Sequence, residues 1–171
     1  MKNSGRHLHI ISFDIPYPAN YGGVIDVFFK LRALVSAGVK VHLHAFQYGR
    51  QSSKILEELC ESVHYYQRDV SKSQLFLKEP YIVVSRSSEQ LIKNLLSDEH
   101  PILFEGLHST HFLNDERLKQ RRKIVRTHNI EHEYYKNLAK AESNIFKRYY
   151  FYNESNKLEI YENILSNADL I

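Results

Sequence analysis

His7-Leu8-His9-Ile10-Ile11-Ser12-Phe13, followed by Asp14-Ile15-Pro16-Tyr17-Pro18-Ala19-Asn20-Tyr21-Gly22-Gly23, is the stretch that decides the fold of this chain. The aliphatic centre of the first segment fits a short buried strand, and two prolines stiffen the loop that ends in paired glycines. Beyond the loop, Val24, Val27, Phe28, Leu31, Leu34 and Val35 recur at three-and-four spacing. That spacing predicts an amphipathic helix closing at Gly38, the residue type favoured just past a helix end. Strand, loop and helix form the first unit of an α/β fold. Glycines at such a junction let backbone approach a ligand, and the free N–H groups lie where the helix dipole favours an anion. Gly22 and Gly23 are therefore candidates for holding a phosphate. The loop has neither the Gly-x-Gly-x-x-Gly spacing of dinucleotide binders nor the Gly-Lys-Ser/Thr of a P-loop, which disfavours a dehydrogenase or a nucleotide kinase.

Working outward, the same unit repeats. Residues 39–46 alternate as a second strand, and a helix capped by Ser52 or Ser53 buries Ile55, Leu56, Leu59 and Cys60. Residues 63–66 read as a short third strand, and residues 68–78 are polar and without a clear period. Ser87 or Ser88 caps a helix with Leu91, Ile92, Leu95 and Leu96 on one face. Residues 101–105 and 123–127 are the fourth and fifth strands. From Asn129 onward the chain reads as helical, first around Tyr134, Tyr135 and Leu138. A longer stretch from about Ser143 to Ser166 follows, with Ile145, Tyr149, Tyr152, Leu158, Tyr161 and Leu165 as an inner stripe. Strands alternating with helices predict a doubly wound parallel sheet whose ligands bind beyond the carboxyl ends of the strands. Asp14 and the glycine loop follow the first strand, Glu105-Gly106-Leu107-His108 the fourth, and His128-Asn129 the fifth. Asn167-Ala168-Asp169-Leu170-Ile171 reads as a helix exit entering another buried strand, so the chain is expected to be the N-terminal part of something longer.

The 171 residues are 43% hydrophobic and 25% charged, ordinary for one globular domain and unlike a disordered segment. A single cysteine, Cys60, excludes an intramolecular disulfide. With no apolar signal region and no apolar run long enough to span a bilayer, the expected location is cytoplasmic. A net charge of +3 with ten histidines and twelve tyrosines is too mildly basic for a dedicated nucleic-acid binder.

In order along the chain stand Pro16-x-Pro18-x-x-x-Gly22-Gly23, Leu34-x-x-x-Gly38-x-x-Val41, Phe104-Glu105-Gly106-Leu107-His108 and Arg126-Thr127-His128-Asn129-Ile130-Glu131. Glu159-x-x-Glu162 then precedes Ala168-Asp169-Leu170-Ile171. This order resembles the N-terminal half of GT-B glycosyltransferases of the retaining, family-four type. The resemblance covers nearly the whole chain and implies a Rossmann-like α/β domain that mainly holds the acceptor. A second domain would bind the nucleotide-sugar, transfer to a hydroxyl acceptor would occur in the cleft between them, and no separate metal ion or cofactor is usual. It further implies that Gly22 and Gly23 approach the donor diphosphate and that His108 contacts the transferred sugar near the reacting carbon. His128 would border the acceptor pocket, with Asp14, Tyr17 and Asn129 helping to shape it. Where the family often has a second histidine close to the first, this chain has Glu105 and Gly106. The chain alone is expected to fold but not to transfer sugar, because the two-domain cleft supplies the positioning that makes the reaction effectively unimolecular.

Two other readings compete. His128-Asn129-Ile130-Glu131-His132 spells the His-x-x-Glu-His signature of inverted zinc proteases, which needs both histidines on one helix facing one metal. The β-branched run before His128 argues instead that it closes a strand and points away from His132. A non-enzymatic binding module is the other reading. Arg121-Arg122-Lys123 and Phe146-Lys147-Arg148-Tyr149-Tyr150-Phe151-Tyr152 combine cations with aromatics in the manner of peripheral membrane contacts. Tyrosines packed on the sheet beside solvated lysines would explain the second segment as well.

Overall fold

A computed structural model describes residues 5–171. Strand β1 (Arg6–Ser12) lies at the centre of a five-stranded, all-parallel sheet with β2 (Val39–Gln47), β3 (Ser62–Gln67), β4 (Ile102–Glu105) and β5 (Lys123–Arg126). The order is β3-β2-β1-β4-β5, so the chain builds outward on one side of β1 and then crosses to the other. The α/β, Rossmann-like expectation is met, and the switch point falls between β1 and β4, where a parallel sheet opens its crevice.

Both faces of the sheet are covered. Helix α1 (Gly22–Ser36) and α2 (Lys54–Leu59) pack Val27, Leu31 and Leu56 on Ile10, Val41, Leu43 and Leu103. On the opposite face α4 (Glu89–Leu95) sets Leu91, Ile92 and Leu95 against Ile11, Phe46, Phe104 and Val125. Gly38 takes φ +78°, the left-handed geometry that ends a helix and that glycine adopts without strain. A 3-10 turn at Lys72–Phe76 occupies the stretch without a clear period, and helix α3 (Tyr81–Val84) follows it. The helix packs Ile82 and Val83 on Leu107 and on Leu158 of α6 (Ile145–Tyr161). Helix α5 (Glu131–Ala141) lies beside α6, and Tyr135 meets Phe151 edge to face.

Several sequence expectations change at this level. Ile55 and Leu96 are exposed rather than packed. In α6 the predicted inner stripe is only partly inward: Leu158 is buried, but Ile145, Tyr149 and Tyr152 face outward at 62%, 72% and 55% exposure. The residues that α6 does bury include Glu154, which accepts from the Tyr81 amide at 2.6 Å and pairs with Lys157 at 2.8 Å, and Ser155, which donates to the His132 carbonyl. The packed face is thus partly polar, and the stripe read from hydrophobic spacing holds for Leu158, Tyr161 and Leu165 but not for Ile145, Tyr149 and Tyr152. The basic triplet is not a surface patch either. Arg121 and Lys123 are buried, the lysine donating to the Leu113 carbonyl at 2.9 Å. Beyond α6, Leu170 forms a parallel bridge to Ile124, Val125 N–H donates to the Leu170 carbonyl at 2.9 Å, and Asp169 N–H donates to the Lys123 carbonyl at 2.8 Å. Of the anticipated buried strand the structure shows this single bridge beside β5, with Leu170 and Ile171 exposed.

Candidate functional site

At the carboxyl ends of β1, β4 and β5 the polypeptide leaves the sheet through Phe13, Gly106 and His128, and these three ends frame a cleft of ≈ 530 Å³. Its lining includes Phe13, Tyr21, Gly22, Gly23, His108, His128, Asn129 and Glu131. Of the sequence-predicted site residues, Gly22, Gly23, His108, His128 and Asn129 are brought together here. Asp14 and Tyr17 are not. Asp14 is buried and holds the loop, accepting from the Ile15 amide and the Tyr21 hydroxyl at 2.8 Å each, with Arg50 Nε at 3.6 Å. Tyr17 packs its ring against Phe28 and lines a separate hollow with Pro18, Asn20 and Arg50. Both side chains are engaged by the prolines' rigid loop, which carries them away from the crevice.

Helix α1 opens on this cleft with Tyr21 as its extended N-cap residue, no side-chain cap and no acid in its first turn. Among the described residues the amides of Gly22, Gly23 and Val24 find no protein acceptor; the first two residues line the cleft, where the positive end of the dipole favours an anion. Phe13 sits at the centre. Its ring lies 5.4 Å from that of His108 and 5.6 Å from that of His128, and its carbonyl accepts from Arg86 Nε at 2.8 Å. Gly106, at φ +73°, makes the turn that places His108.

Behind these rings lies a buried ionic cluster. Glu105, fully buried, receives Lys30 Nζ at 2.6 Å, and His128 Nε2 stands 3.2 Å from its other oxygen. Lys30 also reaches Asp26 at 3.1 Å, and His128 Nδ1 is 3.8 Å from the same carboxylate. Asp26, Glu105 and His128 have the donor chemistry of a metal site, but the Lys30 ammonium already supplies the positive charge between the two carboxylates. Burial, with Arg86, Arg68 and His128 nearby, holds the His108 imidazole well below its ordinary range, so it is neutral. Burial pushes the Glu131 carboxyl up, and its Oε1 is 3.9 Å from His108 Nδ1. Four buried side-chain polar atoms here, Glu105 Oε2, His128 Nε2, His108 Nδ1 and Glu131 Oε1, make no aligned hydrogen bond among the described residues and face one another in two pairs, at 3.2 and 3.9 Å. A buried polar atom without a full hydrogen bond costs about 1–3 kcal/mol, and all four lie beside this one crevice.

Two sequence readings can be judged by this geometry. His132 does not share a centre with His128, since its Nδ1 and its amide both engage Glu162, at 2.7 and 3.1 Å. The helix read from Asn129 onward starts at Glu131, with Ile130 as its N-cap residue, and Asn129 lines the cleft. Lys30, Asp26 and Arg86 were missed. The first two sit one helical turn apart on α1, a spacing that reads as an ordinary surface pair until β4 places Glu105 beside them. Arg86 comes from the segment after α3, and its proximity to Phe13 has no local signal.

A second histidine cluster lies at the other end of the sheet. His7, His42 and His100 approach one another, but the His7 and His100 rings are stacked 4.4 Å apart and only 14° from parallel. Lone pairs lie in the ring planes, so these two nitrogens do not converge on one ion.

Fold and cleft together define a Rossmann-like α/β domain with a crevice at its switch point. The chain is similar to a Klebsiella pneumoniae protein described as an uncharacterized 44.6 kDa protein in the cps region, at 35% identity over 151 residues. The match takes in 84% of this chain and 39% of that relative, so the chain spans well under half the relative's length. No family model and no solved structure matches it. Among the described residues no helix is long and apolar enough to cross a membrane.

Proposed function

We propose that this chain is the acceptor-side domain of a glycosyltransferase that moves a sugar from a nucleotide-sugar to a hydroxyl acceptor in surface polysaccharide synthesis. The observation that carries the reading is the cleft itself. Gly22 and Gly23, with unengaged amides at the head of α1, line the same cleft as a neutral His108 and as His128, which the buried Glu105 backs at 3.2 Å. Departure of a nucleoside diphosphate builds negative charge, and fixed N–H dipoles at a helix N-terminus stabilise such charge without reorganising. A neutral imidazole can accept from or donate to sugar hydroxyls with no ionic cost, which suits His108 to holding the transferred residue. His128 has both nitrogens turned toward carboxylates, so it is fixed in orientation and borders the acceptor rather than taking its proton. The cps region, where the Klebsiella relative is encoded, agrees with capsule polysaccharide as the product class.

The test uses the full-length protein and a panel of nucleotide-sugars, following nucleoside diphosphate release. A Cβ on Gly22 meets nothing within 4 Å, so Gly22→Val projects into the cleft without disturbing the fold. We expect at least a hundredfold loss of kcat/KM with an unchanged melting temperature. Unchanged turnover would remove the glycine loop from the mechanism, and no release from any donor would remove the assignment.

A further inference from the structure

The outward face of α5 and α6 is not explained by the fold or by the cleft. Ile145, Phe146, Tyr149 and Tyr152 are 62%, 79%, 72% and 55% exposed, four large apolar side chains within two turns of one helix. A hollow of ≈ 550 Å³ runs between the helices, floored by Ala139 and walled by Ile145, Tyr149, Tyr152 and the cations Lys136, Lys140 and Arg148. No acidic residue lines it. Residues 132–152 hold Lys136, Lys140, Lys147 and Arg148 against Glu133 and Glu142. The arrangement is apolar and aromatic at the centre and cationic at the edges.

We propose that this face docks on an anionic phospholipid surface. Aromatic side chains settle at the level of the headgroups, and lysines and arginines reach lipid phosphates, so both halves of the patch find a partner in one surface. Charge argues against a second copy, because a twofold axis through the patch would gather two sets of Lys136, Lys140 and Arg148 in one interface with no acid lining the hollow to offset them. The placement also has a geometric consequence: α5 carries Tyr134 and Tyr135 into the cleft and Lys136, Ala139 and Lys140 into the hollow, so a docked bilayer lies one helical turn from the crevice.

The residues 1–171 contain no tryptophan, so Phe146→Trp adds one indole to the patch. With the full-length protein and vesicles containing phosphatidylglycerol, its emission should shift to the blue and be quenched by brominated acyl chains, with neither effect on pure phosphatidylcholine. Flotation of the unaltered protein with the same vesicles should weaken as salt rises. Lys140→Glu with Arg148→Glu should lower partitioning about fivefold or more per cation reversed. Tyr149→Ser with Phe146→Ser should lower it at unchanged melting temperature, since both side chains are exposed. Absence of binding to anionic vesicles overturns the proposal, as does binding that neither double variant changes. Concentration-dependent dimers lost in the double variants, without vesicle binding, would assign the face to a second copy. Protection of Phe146→Trp from soluble quenchers in the lipid-free protein would assign it to another part of the polypeptide.

Discussion

A Cβ added to Gly23 would stand 2.6 Å from Phe13 Cζ, whereas one on Gly22 enters open space. Neither glycine has a positive φ, so their value lies in missing atoms rather than in unusual backbone. Phe13 is held between His108 and His128 and cannot withdraw cheaply, so Gly23→Ala should destabilise the protein by about 1–2 kcal/mol. That figure is an overpacking cost partly offset by alanine's better helix propensity. Gly22→Ala should be neutral or stabilise by up to about 1 kcal/mol. Urea denaturation of the two variants side by side measures the contrast, and equal midpoints would mean that Phe13 does not rest on Gly23. The paired glycines are thus legible in the sequence as a site, but their division of labour is not, because Phe13 reaches Gly23 only after the loop has turned back.

At the scale of elements, Arg121 shows how a long side chain can finish a helix. Its guanidinium, buried on the way into β5, donates to the Leu95 and Asp98 carbonyls at 2.6 Å each and to the His100 carbonyl, with Asp98 Oδ1 at 3.3 Å. The first is an acceptor that the end of α4 leaves without an intrahelical donor, and the other two belong to the turn that follows it. Burial holds this arginine somewhat below its ordinary range, and Asp98 opposes that shift. Arg121→Met keeps the aliphatic stem and orphans several carbonyls, so a loss of roughly 3 kcal/mol is expected, read as a lower denaturant midpoint. A loss under about 1 kcal/mol would show that water replaces the guanidinium. In the sequence Arg121 stood in a basic triplet and read as surface. Its partners lie more than twenty residues away, beyond the reach of local patterning. The outward turn of Ile145, Tyr149 and Tyr152 has the same origin, because Glu154 and Ser155 take the inner face of α6 only when Tyr81 and His132 are there to bond them.

Across the whole molecule, histidines tie three strands and a helix end into one polar ladder. Asp98 accepts from His9 Nε2 at 3.0 Å, His9 Nδ1 meets His44 Nε2 at 2.8 Å, and His44 Nδ1 meets the Tyr66 hydroxyl at 2.7 Å, which in turn accepts from Asn94. Each bond is satisfied when both imidazoles are neutral. Burial holds His9 down to about 4 against the pull of Asp98, and holds His44 well below 6.5. The unfolded chain therefore binds protons at these sites near pH 6.5 while the folded chain does not until about pH 4. Stability is complete above pH 6.5 and falls as the pH drops through that window, by roughly 3 kcal/mol for His9, with His44 acting in the same direction. Chemical denaturation at pH 7.5, 6 and 5 should show falling midpoints and uptake of at least one proton on unfolding. A pH-independent midpoint across that range would mean the ladder is hydrated.

Alternating strands and amphipathic helices, together with the turn chemistry of Gly38, sufficed to determine the α/β class, the five strands and the end of the sheet that carries the crevice. Those signals are local, since strand and helix periods and chain reversals are written in adjacent residues. The cleft's glycines and histidines were legible for the same reason: strand ends are visible in the sequence, and a parallel sheet puts them on one edge. Tertiary structure decided which of those residues meet. It turned Asp14 and Tyr17 into supports of the loop, brought Lys30, Asp26 and Arg86 to the site, and set Arg121 and Lys123 inside the protein. Each of these outcomes depends on a charge or polar group finding its partner across dozens of residues. The burial of a polar group is determined by that distant partner rather than by its neighbours in the chain.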